Sequence, residues 1–448
     1  MAGDVMQGSS QSSGVRERSG RLALPWRAAF WVAVALMVLF MYAAAAPTPL
    51  YRVYQAKWGF SSATLTAVFA IYVLFLLATL LTFGSLSDHI GRRPLIIAAI
   101  VADVAAFALF LLANGVGLLF AARALEGIAV GATANTLGAV LLDLRPRSGL
   151  APLMSSISPN VGLATGALLT AVLVQYGPAP TKFVWWLLLG VFAVALILVL
   201  AMPESGTTRP GALASLRPHI SVPRQARGAF ARAVPALVAV WALGGFYLSL
   251  GPTLAGELTR SLNLVWGGAV AFLLTGVGAA SALGVRNVRA PAQMLGGCLA
   301  LMAGAGVTIA AIETGTAALL LLGTGLAGLG FGPAFLGAYC TVVALAAPTD
   351  RAGLIAAVFG VSYLSMGLPA LIAGIVAGQV GLHGTALVYS AAVAGLAAAA
   401  AGTFLVGGTS RLSAPERAGE RPPLPPGPCT VPPYLPPTGQ AEPANTLS

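Results

Sequence analysis

Three residues, Asp103, Arg123 and Glu126, are the only charges well inside long apolar stretches of the chain. A charge within a bilayer is costly, and it usually has a function there. Arg123 and Glu126 are three residues apart, so they share one helix face and can neutralise each other. Glu126 can therefore carry a proton or serve only as the structural partner of Arg123. For Asp103 we expect a buried carboxyl that is hydrogen-bonded to Thr133 and Asn135, with a role in proton coupling as the alternative.

A second concentration of charge lies in the polar segment 84–94, between two apolar runs. It places Asp88 beside Arg92 and Arg93, and Asp143 ends a later apolar run. Opposite charges on adjacent short loops can form a network that holds in one conformation and breaks in another. The same charges can also do no more than fix topology and solubility.

The composition is that of a protein embedded in a bilayer. Of its 448 residues, 58% are hydrophobic and 8% are charged, which soluble domains of this length do not show. The net charge of +11 comes from arginines spread over many short loops, which argues against a nucleic-acid surface. Cys298, Cys340 and Cys429 lack the spacing of metal ligands, and we expect no metal and no cofactor.

Twelve apolar stretches are each long enough to cross the hydrocarbon core as a helix, which takes about 20 residues. Only helices and closed barrels satisfy their backbone groups there, so the sequence predicts an all-α polytopic membrane protein. Residues 43–45 imitate a signal-peptide cleavage site, but the preceding run is long for a signal sequence, and we expect it to remain as the first span. The predicted spans are 28–46, 63–83, 95–113, 116–142, 154–174, 183–202, 234–254, 264–285, 294–312, 316–346, 354–376 and 385–406.

Polar segments divide these spans six and six. Residues 1–27 are predicted to form a disordered arm, and the Pro-rich residues 407–448 an extended tail without a core. Between them, the six-helix halves 28–202 and 234–406 flank a polar linker at 203–233. We therefore expect two pseudo-symmetric halves.

Charge bias and an internal repeat support this topology. Nineteen of the 24 lysines and arginines lie on the side shared with both termini, and four lie on the opposite side. By the positive-inside rule, both termini are predicted to be cytoplasmic in a multi-pass protein of the plasma membrane. The sequence Arg147-Ser-Gly-Leu recurs as Arg351-Ala-Gly-Leu 204 positions later, which is consistent with a duplicated half.

The segment 84–94 resembles the loop signature of the major facilitator superfamily, between the second and third transmembrane helices. The residues that carry this resemblance are Gly84, Leu86, Asp88, Gly91, Arg92 and Arg93. It implies the facilitator fold, with substrate handled near the midplane between two halves. It also implies a cytoplasmic latch, in which Arg92 pairs with Asp143 and Asp88 faces the N-terminus of the eleventh helix near Gly353 when the transporter faces outward.

Two further stretches resemble motifs of the same superfamily. Residues 123–131 resemble the fourth-helix motif of proton-coupled facilitators, whose arginine is implicated in proton transfer, although Glu126 stands where the family commonly has Gln. Residues 162–167 partly resemble the Gly-x-x-x-Gly-Pro pattern of drug and proton antiporters, with Ala167 in place of proline. Small residues four apart also allow close helix packing in any membrane protein.

If the resemblance holds, spans one, four, seven and ten line the pathway. An apolar cavity with a few hydroxyls suits an amphipathic or aromatic small molecule, although aromatic side chains also belong to ordinary helix packing. The candidate cavity residues are Tyr42, Tyr72, Asn160, Trp241, Tyr247, Tyr339 and Tyr363.

These features favour a secondary transporter, proton-coupled and exporting a small hydrophobic or amphipathic compound as a monomer. The sequence has no Walker-type nucleotide loop, so an ion gradient or the substrate itself must supply the energy. Uptake of a metabolite by the same fold is the alternative, and a non-transporting receptor is a further one. We do not expect an enzyme, because His89, His219 and His383 fall in loops far apart in sequence.

Overall fold

The computed structural model describes residues 24–144, 150–206, 210–347 and 349–412, and the regular elements within them are helices. Most of the predicted arm, nearly all of the predicted tail, and Arg145 and Arg147 lie outside the described residues. In chain order the helices are α1 Trp26–Ala45, α2 Pro47–Trp58, α3 Ser62–Thr82, α4 Ser87–Ile90, α5 Arg92–Leu112, α6 Val116–Asp143, α7 Leu150–Tyr176, α8 Phe183–Leu200, α9 Ala212–Ser215, α10 Arg227–Ser249, α11 Gly251–Thr259, α12 Val265–Gly284, α13 Ala290–Thr314, α14 Ala317–Val343 and α15 Arg351–Leu412.

Eleven helices in the described part of the chain are long and apolar enough to cross a membrane. The all-α polytopic architecture predicted from the sequence is therefore confirmed. The last two predicted spans both lie in α15, which consists of two helices joined at a kink with non-helical backbone at Gly381 (φ 85°, ψ 161°).

The chain folds back within α15. Tyr363 contacts Trp241 of α10 with ring centroids 4.9 Å apart. Tyr389 donates a 2.7 Å hydrogen bond to the carbonyl of Ala242, which follows Trp241 on α10. In a straight helix, residues 26 positions apart would be about 39 Å from each other. A backbone with φ near 85° is the kind that glycine adopts freely, so Gly381 permits the reversal that brings both limbs to α10.

Two helices extend beyond the stretches that hydropathy marks. The first span continues after Ala46 as α2, and α10 begins at Arg227, whereas the predicted seventh span began at 234. A helix satisfies its own backbone in water as well as in lipid, so apolar composition marks where the chain crosses the membrane and does not fix where the helix ends. The predicted polar linker is correspondingly shorter.

The two halves meet through two principal helix pairs, α3 with α15 and α7 with α12. At the second pair, a Cβ on Gly268 would lie 2.6 Å from Cβ of Ala171 and 2.8 Å from the carbonyl oxygen of Ala167. Glycine and alanine allow this close approach of the two backbones.

The halves are joined by side-chain hydrogen bonds at one face only, as far as the described residues show. We call the face that carries α4 and the linker the arginine-rich face, and the face that carries α2 and α11 the opposite face. All three such bonds lie at the opposite face. They run from Arg52 Nη1 to the Ser261 carbonyl at 3.2 Å, from Asn263 Nδ2 to the Tyr176 hydroxyl at 3.2 Å, and from the Leu264 amide to Gln175 Oε1 at 2.9 Å.

Candidate functional site

A buried ion pair lies in the first half. Arg123 Nη1 is 2.5 Å from Glu126 Oε2, and both side chains are about 1% exposed or less. Arg123 Nη1 also donates a 3.2 Å hydrogen bond to the Ala44 carbonyl, and its guanidinium carbon lies 3.9 Å from the ring centroid of Tyr72. The carboxylate, the carbonyl and the aromatic face offset part of the cost of removing a guanidinium from water, while Arg123 Nε and Glu126 Oε1 have no hydrogen-bond partner among the described residues.

Asp103 joins this pair. Its side chain is fully buried, both of its oxygens lack a hydrogen-bond partner among the described residues, and it interacts electrostatically with Glu126 and Arg123. The expected hydrogen bonds to Thr133 and Asn135 are wrong, because the Thr133 hydroxyl donates instead to the carbonyl of Ala129 on its own helix, at 2.9 Å. A short hydroxyl in a helix interior reaches its own preceding turn more readily than it reaches another helix.

The charges of Asp103, Arg123 and Glu126, which we call the buried charge group, do not balance when both acids are ionised. Only Glu126 then contacts the guanidinium, and a net negative charge remains in an apolar interior where an uncompensated charge costs several kcal/mol. The group is neutral when one carboxyl holds a proton. The arrangement can therefore take up and release a single proton.

A second charge cluster lies at the arginine-rich face. Arg92 Nη1 is 2.5 Å from Asp88 Oδ1, and its Nε is 3.3 Å from Asp143 Oδ2. The same Nη1 donates a 2.5 Å hydrogen bond to the Ser87 hydroxyl. Arg92 thus holds α4, the start of α5 and the end of α6 together.

Glu204, which no sequence pattern indicated, completes this cluster. Its carboxylate accepts hydrogen bonds from the backbone amides of Arg92 at 2.8 Å and Arg93 at 3.0 Å, at the N-terminus of α5. An anion is favoured at this end of a helix. Gly91, with φ of 98°, makes the turn that exposes these amides, and a Cβ there would lie 3.0 Å from Glu204 Oε2. Gly84 packs on α6, where a Cβ would lie 3.3 Å from Nδ2 of Asn135.

Asp88 pairs with Arg92 in this structure, and the start of α15 has other neighbours. The amide of Ser221 in the linker donates a 3.2 Å hydrogen bond to the Gly353 carbonyl, and a Cβ on Gly353 would lie 3.0 Å from the His219 ring. The contact that the resemblance implies between Asp88 and this helix end belongs to the outward-facing state, whereas here the halves are joined at the opposite face.

Five aromatic side chains of the second half form a connected cluster, which we call the aromatic cluster. Trp241 of α10 contacts Phe335 of α14 edge to face at 5.4 Å and Tyr363 of α15 at 4.9 Å. Phe359 lies 6.1 Å from Tyr363, and Tyr339 lies 6.3 Å from Phe359. All five are partly exposed. The sequence did not single out Phe335 and Phe359, because their membership depends on how three helices pack.

The other candidate cavity residues have different surroundings. Tyr42 on α1 and Asn160 on α7 are partly exposed, whereas Tyr72 is buried over Arg123. Tyr247 is buried inside the second half, where its hydroxyl lies 3.2 Å from that of Thr308 and accepts a 3.3 Å hydrogen bond from Thr324. Its position is that of a packing residue between α10, α13 and α14.

Known proteins match the sequence and the fold of this chain. The sequence pattern that describes the Major Facilitator Superfamily matches residues 32–305. The chain belongs to the major facilitator superfamily. Membership in the superfamily makes it a multi-pass integral membrane transporter.

Solved structures with the facilitator fold resemble the chain at low sequence identity. The human organic anion transporter MFSD10 (TETRAN) is 16% identical, with a TM-score of 0.62 over 84% of this chain and 100% of that one. The nucleoside transporter NupG, solved as a point mutant, is 13% identical, with a TM-score of 0.63 over 85% of this chain and 99% of that one. No curated protein sequence matches the chain. The described residues contain no His, Cys, Asp and Glu group that could hold a metal ion.

In this facilitator, the opposite face is closed by polar contacts that hydropathy could not indicate. Arg52 of α2 lies against the backbone of Gly256 and interacts with Glu257, which also interacts with His383. Burial raises the pKa of the Glu257 carboxyl, and the nearby Arg52 and His383 partly offset that rise. Arg52 is thus held at α11 more by its bond to the Ser261 carbonyl than by a strong ion pair.

Gly256→Ala is expected to loosen this closure. The added Cβ would overlap the Arg52 guanidinium, which must move away and lose its hydrogen bond to the Ser261 carbonyl. A hydrogen bond to a charged group contributes about 1.5–3 kcal/mol, so the open population at this face should rise by about tenfold or more. Spin labels at positions 57 and 262 should report it as a longer distance in pulsed electron resonance.

The matched control is Gly251→Ala on the same helix. A Cβ there meets its nearest neighbour, Cβ of Tyr247, at 3.6 Å, which is an ordinary contact. Its distance distribution should match that of the unmodified protein. An unchanged distribution for Gly256→Ala would show that Arg52 does not hold this face closed.

Proposed function

We propose that this facilitator is a proton-coupled secondary transporter that exports a small hydrophobic or amphipathic compound by alternating access. It acts as a monomeric antiporter in the plasma membrane, with both termini cytoplasmic, and catalyses no chemical reaction. The observation that carries the proposal is the buried charge group, because its two carboxyls and one guanidinium are neutral only with one proton bound.

The position of the closed face supports the direction of transport. The described hydrogen bonds between the halves lie at the face opposite the arginine-rich one, which the charge bias makes cytoplasmic. In this state a compound from the cytoplasm is proposed to reach the aromatic cluster. After the halves rock and the outer face opens, a proton from outside reaches Glu126 or Asp103 and returns the protein to the inward-facing state.

The charge cluster of Arg92, Asp88 and Asp143 is proposed to act as the latch of this cycle, together with Gly84, Gly91 and Arg93. Its ion pairs connect α4, α5 and α6 of the first half. Glu204, at the start of the predicted linker, accepts a hydrogen bond from the first residue of α5. When the cytoplasmic face closes, Asp88 is proposed to approach the N-terminus of α15, where the helix dipole favours an anion.

Transport into everted membrane vesicles tests the proposal. With an acidic vesicle interior, the unmodified protein should accumulate Hoechst 33342 or 2-naphthoate, and nigericin, which collapses the pH gradient, should abolish the accumulation. Glu126→Gln should still transport the compound down its concentration gradient but should no longer accumulate it against that gradient. The reason is that an amide side chain does not take up and release a proton. The control Glu313→Gln alters an exposed acid at the end of α13 and should behave like the unmodified protein.

Two results would contradict the proposal. Accumulation of these compounds only in right-side-out vesicles would mean uptake. Undiminished uphill transport by Glu126→Gln would exclude Glu126 as the proton carrier, and Asp103→Asn would then be measured in the same assay.

A further inference from the structure

We propose that the aromatic cluster and Arg351 together form a binding site for an aromatic carboxylate. The binding of the compound does not depend on the proposed function. Only the claim that the bound compound is also the transported one rests on it. The cluster supplies a surface for a planar ring system, and Arg351 supplies the counter-charge for its acid group.

The five rings offer a surface whose orientation suits stacking. Trp241 meets Phe335 at an interplanar angle of 78° and Tyr363 at 60°, whereas Phe359 and Tyr363 are nearly stacked at 25°. Rings arranged in this way leave faces and edges free for another aromatic ring. The partial exposure of all five shows that their surfaces are not consumed by packing within the second half.

Hydrogen-bond donors without acceptors border the cluster. Nε1 of Trp241 is buried and has no hydrogen-bond partner among the described residues. A buried indole N–H usually finds an acceptor, and leaving it unpaired costs about 1–3 kcal/mol. A ligand oxygen next to Trp241 would satisfy it, so the compound should carry an acceptor in addition to its ring.

Arg351 sets the charge of the compound. It is the first residue of α15, interacts electrostatically with Tyr339, and makes no hydrogen bond or ion pair with another described residue. Its Nε is buried without a partner. A cation at a helix N-terminus opposes the helix dipole, so this position gains nothing from the helix, and an anionic ligand would stabilise it.

The dimensions match one compact ligand. Phe359 lies eight residues beyond Arg351 on the same helix, or about 12 Å along its axis, and Tyr363 lies about 18 Å along it. Tyr339 contacts Phe359 and interacts with Arg351, so it lies between the charge and the rings. A carboxylate at Arg351 would thus place a fused ring system against Tyr339 and Phe359.

Aromatic cages also bind organic cations, which makes a cation the main rival. Arg351 opposes it, because a second positive charge at the entrance would be repelled. The two possibilities predict opposite orders of affinity for probes that share a ring system and differ in charge.

Calorimetric titration of the protein in lipid nanodiscs, without a pH gradient, tests the site. The probes are 2-naphthoate, 2-naphthalenemethanol and 2-naphthylmethylammonium. We expect 2-naphthoate to bind at least about tenfold more tightly than the alcohol, and the ammonium compound to bind most weakly. Arg351→Gln should reduce the affinity for 2-naphthoate to that for the alcohol and leave the alcohol unchanged, while Arg289→Gln, an exposed arginine at the same face, should change neither.

Trp241→Phe keeps the ring and removes the donor; because the only oxygens of 2-naphthoate are placed at Arg351, its affinity for this probe should be unchanged. The inference is overturned by equal affinity for the three probes, by preference for the ammonium compound, by no binding of any probe, or by an unaltered 2-naphthoate affinity in Arg351→Gln. Size-exclusion chromatography of each variant establishes that it is folded.

Binding is measured without transport, so a site that binds 2-naphthoate stands even if proton-driven export fails. Proton-driven export of Hoechst 33342 likewise stands even if this site fails.

Discussion

Arg123→Gln is expected to abolish transport and to destabilise the protein. Removing the guanidinium leaves Glu126 and Asp103 buried without a counter-charge. Breaking a buried ion pair in this way costs about 3–5 kcal/mol. The variant should unfold at a clearly lower temperature in detergent, and it should neither accumulate substrate nor support proton-driven exchange.

The double variant Arg123→Gln, Glu126→Gln separates charge balance from coupling. Two amides of similar shape restore a neutral environment around Asp103, so most of the lost thermal stability should return. Proton coupling should not return, because the carboxyl that exchanges the proton is gone. A double variant as unstable as Arg123→Gln would mean that Arg123 stabilises the fold through the Ala44 carbonyl and the Tyr72 ring and not through charge balance.

Local sequence spacing predicts part of this site. Arg123 and Glu126 are three apart on one helix, and that spacing alone brings their side chains together. The contact of Arg92 with Asp143 spans 51 residues, and it was expected only because the loop resembles a known family signature. Only the first contact follows from spacing within one helix, and the second depends on how α5 and α6 pack.

The rest of the site depends on tertiary structure. Asp103 interacts electrostatically with Glu126 through the packing of α5 on α6, which hydropathy does not encode, so its partners were predicted wrongly. Phe335 and Phe359 gain their role from the meeting of α10, α14 and α15. In the sequence, Glu204 is one acid in a polar segment, and only the fold places it at the N-terminus of α5.

The same distinction holds for the fold. Long apolar stretches predicted the membrane helices, because burial of apolar side chains in lipid requires about 20 of them in a row. The continuation of the first span into α2 and the closure by Arg52 were not predicted, because they involve polar residues in water-accessible segments.

Asp88→Asn is expected to reduce transport by about tenfold or more while leaving membrane insertion intact. The Asp88 side chain is 41% exposed and pairs with Arg92 here, so that surface pair contributes little to stability. Its proposed importance lies in the closed cytoplasmic face, where an anion at the N-terminus of α15 is worth up to about 2 kcal/mol. Asparagine has the same shape without the charge, and initial rates of export into everted vesicles measure the loss.

Asp88→Glu is the matched control, since it keeps the charge and should retain most of the transport rate. Wild-type transport by Asp88→Asn would exclude the latch and leave these residues with a role in topology alone. Spin labels at 57 and 262 provide a second measurement. Asp88→Asn weakens closure of the arginine-rich face, so it should increase the short-distance population at the opposite face.

Gly256→Ala acts in the other direction, because it displaces Arg52 and favours opening of the opposite face. If the two faces alternate, the double variant Asp88→Asn, Gly256→Ala should return the distance distribution toward that of the unmodified protein, although the substitutions lie on different halves at opposite faces. If the faces open independently, each substitution should affect only its own face, and the double variant should retain the open opposite face of Gly256→Ala. The label distances thus test alternating access itself, independently of any substrate.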